Sequence, residues 1–128
     1  MGQKYLIDSN AIIDYLSGSL NKTGMQFLNR VINEIPNISV INKIEILSFN
    51  TSREDSNLLN GFISDSNIFG LSDEIVQKTI DIRKKHKLKT PDAIVAATSI
   101  IYNFSLITRN IKDFKKIKDL KTHNPHID

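Results

Sequence analysis

Four acidic residues of this 128-residue chain stand at comparable points in its pattern of short apolar runs. Asp8 directly follows residues 5–7, Glu45 falls in the first helical turn after residues 38–41, Asp92 opens a helix rich in small residues, and Asp113 comes shortly after residues 105–108. Carboxylates gathered at one place raise one another's pKa, so such a cluster is unfavourable until a cation neutralises it. Magnesium or manganese suits that donor set, because both take oxygen ligands and magnesium keeps several waters, so a few carboxylates with open positions suffice. The chemistry then available is activation of water and stabilisation of a phosphodiester undergoing displacement. Taken singly, each acid also has a structural reading. Asp8 can terminate a strand, Glu45 can close a capping box with Asn42, Asp92 can complement a helix dipole, and Asp113 can be a solvated acid in a basic stretch. The chemical reading rests on their combination.

That combination requires a chain that alternates strand and helix. Tyr5, Leu6 and Ile7 lack polar alternation, which fits a strand covered on both faces, and Ser9 or Asn10 suits the cap of a helix carrying Ile12, Ile13 and Leu16. An acid at such a junction sits where open α/β sheets bind ligands. After Gly18 and the mostly polar residues 19–23, Met25, Leu28, Val31, Ile32 and Ile35 recur at helical spacing until Pro36 and Asn37 end the helix. Residues 38–41 read as a second strand, with Asn42 opening a helix that carries Ile44, Ile46, Leu47 and Phe49. A polar helix over 51–66 precedes a short strand at 67–71. Ser72 then caps a helix with Asp73 and Glu74 at its start and Arg83, Lys84 and Lys85 near its end, the charge order the helix dipole favours. Thr90, Pro91 and Asp92 read as N-cap, first-turn proline and first-turn acid of a helix to about Tyr102, and its Ala93, Ala96 and Ala97 permit close packing. Residues 105–108 form a fourth strand, residues 109–121 are basic with Ile111, Phe114, Ile117 and Leu120 as apolar positions, and the tail to Asp128 has little pattern. The alternation predicts an α/β fold whose mainly parallel central sheet carries helices on both faces.

Length fits one domain over residues 1–128. The absence of cysteine excludes disulfides and thiolate zinc sites. No apolar run approaches a membrane span or signal peptide, which predicts a soluble, cytoplasmic protein with no membrane partner. A net charge of +3 is compatible with a polyanionic partner but carries little weight alone.

Four blocks together resemble the PIN domain nucleases, and more narrowly the VapC-type toxins of bacterial and archaeal toxin–antitoxin pairs. They are Leu6-Ile7-Asp8-Ser9-Asn10-Ala11-Ile12-Ile13-Asp14, Asn42-Lys43-Ile44-Glu45, Pro91-Asp92-Ala93-Ile94-Val95-Ala96-Ala97-Thr98, and Leu106-Ile107-Thr108-Arg109-Asn110-Ile111-Lys112-Asp113-Phe114. The last two are the more specific, and the resemblance spans nearly the whole chain. It implies a three-layer α/β/α sandwich and a magnesium- or manganese-dependent endoribonuclease that leaves a 5′-phosphate. By position Asp8, Glu45 and Asp92 match the family's metal-binding acids, with Asp113 and Asn110 competing for the fourth place. Ser9, Asn10 and Thr108 are short polar residues suited to orient Asp8 or a ligand. Asp14, about one turn into the first helix, reads as a structural or rim residue.

Two basic segments flank the acids. Arg83, Lys84, Lys85, Lys87 and Lys89 precede Asp92, and Arg109, Lys112, Lys115 and Lys116 surround Asp113, so both can grip RNA phosphates or serve as ordinary solvated faces. His86, His123 and His126 read as solvated. The resemblance also implies a homodimer and a cognate antitoxin in a groove that the apolar helices over residues 25–62 could supply, although Leu28, Val31, Leu47 and Phe49 read first as core. An RNA-binding or RNA-processing module without toxin activity is the main alternative, and EDTA-sensitive cleavage separates a nuclease from a binder. Phosphoryl transfer through an aspartyl intermediate is disfavoured because Asn10 stands where Asp-x-Asp phosphatases carry their second acid.

Overall fold

In a computed structural model that describes residues 4–126, five strands form one sheet in the spatial order β3-β2-β1-β4-β5. They are β1 (Tyr5–Ile7), β2 (Asn37–Ser39), β3 (Asn67–Phe69), β4 (Ser105–Ile107) and β5 (Lys121–His123), and every pairing is parallel. Between them run α1 (Ser9–Leu16), α2 (Lys22–Asn33), α3 (Val40–Leu47), α4 (Arg53–Ser64), α5 (Asp73–Lys85), α6 (Thr90–Ile101) and α7 (Ile111–Phe114). Residues 127 and 128 of the tail, and residues 1–3, lie outside the described residues.

Alternation along the central strands generates the three layers. Leu6 pairs with Leu106 and both enter one core with Ile75, Ile82, Ala93, Ala96 and Phe114; their neighbours Ile7 and Ile107 enter the other with Ile12, Leu28, Ile38, Ile46 and Leu59. Helices α5 and α6 therefore cover one face, and α1, α2 and α4 cover the other. Each central strand is buried on both sides, which is why no polar alternation marks it in the sequence. Because all strands run the same way, their carboxyl ends share one edge, and β1, β2 and β4 deliver Asp8, Val40 and Thr108 there.

The strands are shorter than the sequence suggests because the chain turns directly into helix. Residues 40 and 41, expected in the second strand, are the first turn of α3. Ser39 caps it, its Oγ accepting from Ile41 N at 3.1 Å while Asn42 Oδ1 accepts from Ser39 N at 3.0 Å. The capping box thus joins Ser39 and Asn42, and Glu45 takes no part in it. Asp8 itself caps α1, in place of Ser9 or Asn10. At α6 the cap position falls on Lys89, with no side-chain cap bond, and Thr90 and Pro91 lie within the first turn. The basic stretch after Arg109 holds only the four-residue α7 before turning into β5, an edge strand of Lys121, Thr122 and His123. An edge strand needs little apolar content and is protected by charge, so its sequence does not announce it.

Candidate active site

Asp8 is buried at the end of β1, and both carboxylate oxygens are engaged. Oδ1 accepts from the Ser9 backbone N–H at 2.9 Å and from Asn42 Nδ2 at 3.1 Å, while Oδ2 accepts from Thr108 Oγ1 at 2.9 Å and from Asn10 Nδ2 at 3.3 Å. These bonds fix the carboxylate without supplying a countercharge. Burial pushes its pKa above the usual carboxylate value, with the nearby Glu45 charge adding to the rise, against the opposing hydrogen bonds from Thr108, Ser9 and Asn42.

Glu45 and Asp92 open onto the same volume. Asp8, Glu45 and Asp92 line a cavity of about 450 Å³ together with Ser9, Asn10, Asp14, Arg109 and Asn110. Ser9 Oγ donates to Glu45 Oε1 at 2.7 Å and accepts from Asn42 Nδ2 at 3.1 Å, so one hydroxyl links the second acid to the framework around the first. The Asp92 carboxyl is also raised, by burial first and then by the charges of Asp8, Glu45 and Asp113, while Lys89 opposes the rise. Asp113 lies outside the cavity lining but within electrostatic reach, and its Oδ2 accepts from Asn110 Nδ2 at 2.7 Å. Asn110 therefore stands at the wall with Asp113 behind it.

An all-oxygen donor set with net negative charge fits a hard divalent cation. Among the described residues no three or more His, Cys, Asp or Glu side chains are placed together to hold a metal ion. Magnesium retains waters and is bound by one or two carboxylates rather than by a full protein cage, so it does not require three acids together.

Asn42 is the chief residue missed by the sequence reading. It is fully buried and donates to both Asp8 and Ser9, yet in the sequence it appears only as a helix-opening polar residue. Its signal was a polar side chain that falls on the core side of an otherwise apolar helix. His126 is not solvated as expected, because its Nε2 lies 2.7 Å from Asp14 Oδ2. His86 is half-buried, and exposed His123 stacks on Phe27 with ring centroids 4.1 Å apart. Lys84, Lys85, Lys87, Lys89, Arg109 and Lys112 are all exposed. Arg109 lines the acidic cavity, Lys89 acts on Asp92, and Lys84 lines a separate groove with Leu71, Val76 and Ile80.

Leu28 is core, but Leu47 and Phe49 are not: they are 42% and 50% exposed, beside Ile44 at 57% and Leu58 at 50%. Phe49 and Leu58 line a small apolar groove with Ile13 and Leu16, and both Ile13 and Phe49 also line the acidic cavity. The two depressions thus share two wall residues.

Residues 5–120 match the family model described as PIN domain. Ribonuclease VapC from Rickettsia bellii (strain RML369-C) is 39% identical over 56 residues, a match covering 41% of this chain and only 42% of that protein. Among solved structures, a toxin–antitoxin complex from Klebsiella pneumoniae shares 29% identity and a TM-score of 0.78, covering 95% of this chain and 98% of that one. DNA-bound VapBC from Salmonella typhimurium superposes with a TM-score of 0.82 at 16% identity, over 97% of this chain and 99% of that one, a likeness of fold. Among the described residues no helix is long and apolar enough to cross a membrane.

Proposed function

The chain belongs to the PIN domain family, and on that premise we propose that it is a magnesium- or manganese-dependent endoribonuclease, the cytoplasmic toxin of a toxin–antitoxin pair. The observation that carries this reading is the convergence of Asp8, Glu45 and Asp92, from three separate segments, on one cavity, where burial first and then the neighbouring acids, Asp113 included, raise the Asp92 carboxyl. Charge so concentrated has little structural value, and relatives named as a ribonuclease and as part of a toxin–antitoxin complex support RNA cleavage as the chemistry it serves.

Asp8, Glu45, Asp92 and Asp113 are the residues that would hold the ion, with Asn110 as the alternative in the fourth place. When bound, the ion supplies Lewis acidity toward water and toward the phosphodiester being displaced. The chain supplies the rest. Asn42, Thr108, Asn10 and the Ser9 N–H hold Asp8 in one rotamer, so its oxygens need not reorganise when substrate arrives. Ser9 Oγ restrains Glu45, and Asn110 restrains Asp113. Arg109 and Lys89 offset the repulsion that an RNA phosphate meets at an acidic cavity.

The antitoxin is assigned to the apolar groove of Ile13, Leu16, Phe49 and Leu58, because Ile13 and Phe49 are shared with the acidic cavity. A second copy of the chain is assigned to the apolar groove that Val76 and Ile80 of α5 form with Leu71. Purified wild type incubated with single-stranded RNA should cleave it with magnesium and stop on adding EDTA, and Asp8→Asn should be folded and inactive. A folded Asp8→Asn protein with full activity would falsify the assignment.

A further inference from the structure

Asp14 and His126 have no part in the chemistry above, yet Asp14 lines the acidic cavity and His126 contacts Asp14. Asp14 is buried on α1, and Arg109 Nη1 donates to both of its oxygens, at 3.2 Å to Oδ1 and 3.1 Å to Oδ2. His126 Nε2 meets Oδ2 at 2.7 Å from the other side. The backbone N–H of Arg109 donates to Asn10 Oδ1 at 2.9 Å, so this arginine is anchored at both ends. Its side chain is nevertheless 58% exposed and lines the cavity beside Asp8, Glu45 and Asp92. Nε and Nη2 have no partner among the described residues.

The tail that carries His126 is itself fastened. The Pro125 carbonyl oxygen lies where a Cβ on Gly24 would be only 2.1 Å away, so α2 accepts the tail because residue 24 is glycine. His126 N donates to Asn124 Oδ1 at 3.0 Å, which fixes the last turn before the imidazole. Burying a carboxylate to hold a largely exposed arginine is a poor route to stability, because desolvation of the acid offsets most of the attraction. It is an effective way to hold a guanidinium in one orientation, with donors left over.

We propose that Arg109 is a preset clamp for an RNA backbone phosphate at the rim of the acidic cavity, with Asp14 as its positioning residue and His126 bracing Asp14 from the tail. The proposal rests on RNA being the ligand of this cavity. A phosphate approaching four carboxylates is repelled unless a cation stands ready, and arginine's planar fork binds phosphate through two parallel bonds where lysine offers a point charge. Asp14 occupies one corner of that fork and leaves the other edge open.

The test is fluorescence anisotropy of a short fluorescein-labelled single-stranded RNA in EDTA across a potassium chloride series, beside magnesium-dependent cleavage of the same RNA by wild type. Arg109→Gln should weaken binding about tenfold at low salt and reduce the slope of log affinity against log salt by about 0.7, the value of one lost phosphate contact on a single strand. Asp14→Asn should weaken binding although Arg109 is intact, and the double variant should be no worse than Arg109→Gln alone. His126→Ala should give a smaller loss that His126→Gln restores, since the glutamine amide can still donate to Asp14. Should Asp14→Asn not fold, the alanine and glutamine pair at His126 carries the positioning claim. Wild-type affinity and slope in Arg109→Gln, additive losses at Asp14 and Arg109, or no rescue by His126→Gln would overturn the clamp. Absence of cleavage by wild type, with the salt slope still reduced in Arg109→Gln, would instead sink the nuclease reading and leave the clamp standing.

Discussion

Replacing Thr108 by valine tests the claim that Asp8 is held as a buried anion by its neighbours. Valine matches threonine in shape, so the change deletes one hydroxyl from a fully buried position. That hydroxyl donates to Asp8 Oδ2 at 2.9 Å and accepts from Asn110 N at 3.0 Å and Asn10 Nδ2 at 3.3 Å. A hydrogen bond to a charged group contributes about 1.5–3 kcal/mol, whereas the half-buried Asn110 N–H can turn to water at little cost. The expected loss is therefore about 2–3 kcal/mol with Asp8 ionised, or roughly 6–12 °C in Tm for a chain of this length. The sign of the pH dependence follows from Asp8. Burial already holds its folded pKa above the unfolded value, so its ionisation costs stability as pH rises through the folded pKa, and the Thr108 bond limits that cost. Without the bond the folded pKa climbs further. The gap between wild type and Thr108→Val should open between those two folded values and stay constant above them; below them it should shrink to about 1 kcal/mol, the worth of an ordinary hydrogen bond. Urea melts near pH 4 and near pH 8 in EDTA measure the gap, with Thr108→Ser as the control that keeps the hydroxyl and loses only a methyl, at about 1 kcal/mol regardless of pH. A Thr108→Val loss equal at both pH values would refute the reasoning.

Three further outcomes follow from the same geometry. Asp92 has a folded pKa raised by burial and by three acidic neighbours, so the stability it contributes below its unfolded pKa is lost as pH rises through the folded one; Asp92→Asn should therefore melt higher than wild type at neutral pH in EDTA, with the advantage fading toward the ordinary carboxylate range. Magnesium should raise the Tm of wild type more than that of Asp92→Asn, and equal shifts would remove Asp92 from the ion's surroundings. Phe49→Asp, at a half-exposed position shared by the groove and the acidic cavity, should leave folding intact by circular dichroism and weaken capture of the cognate antitoxin by more than about thirtyfold, as expected for a buried aromatic anchor worth about 2 kcal/mol; unchanged capture would move the partner elsewhere.

Strands β1 to β4 and most helices were legible because their apolar positions must face a core. The doubly buried runs at Leu6 and Leu106, the proline and alanines of α6, and the charge order of α5 each satisfy a local rule that the global fold also obeys. β5 escaped because an edge strand with one neighbour has no second hydrogen-bonding partner and little surface to bury, so Lys121 and His123 suit it as well as any apolar residue. The start of α3 was misplaced by two residues for a different reason: Val40 and Ile41 are β-branched and read as strand, but the side chains of Ser39 and Asn42 close a capping box that local propensity does not weigh.

The acids themselves were easier to find than the groups that hold them, and the asymmetry is physical. A carboxylate that must meet a ligand stands at a chain position set by topology, the end of a strand or the first turn of a helix, and topology leaves a pattern in sequence. A group that serves the carboxylate is constrained only by where its side chain ends. Asn42 reaches Asp8 across 34 positions and His126 reaches Asp14 across 112, so neither spacing carries any periodic signal. Asn42 and Asp14 are buried polar residues placed where an apolar one would pack more cheaply. A buried polar side chain bonded to a residue of the site marks a position where the fold accepts a cost in stability to fix a neighbour. By that criterion the framework around Asp8 and the brace behind Arg109 belong to one design, a rigid acidic cavity with a rigid cation at its rim, and loosening either should lower RNA affinity or cleavage before it unfolds the protein.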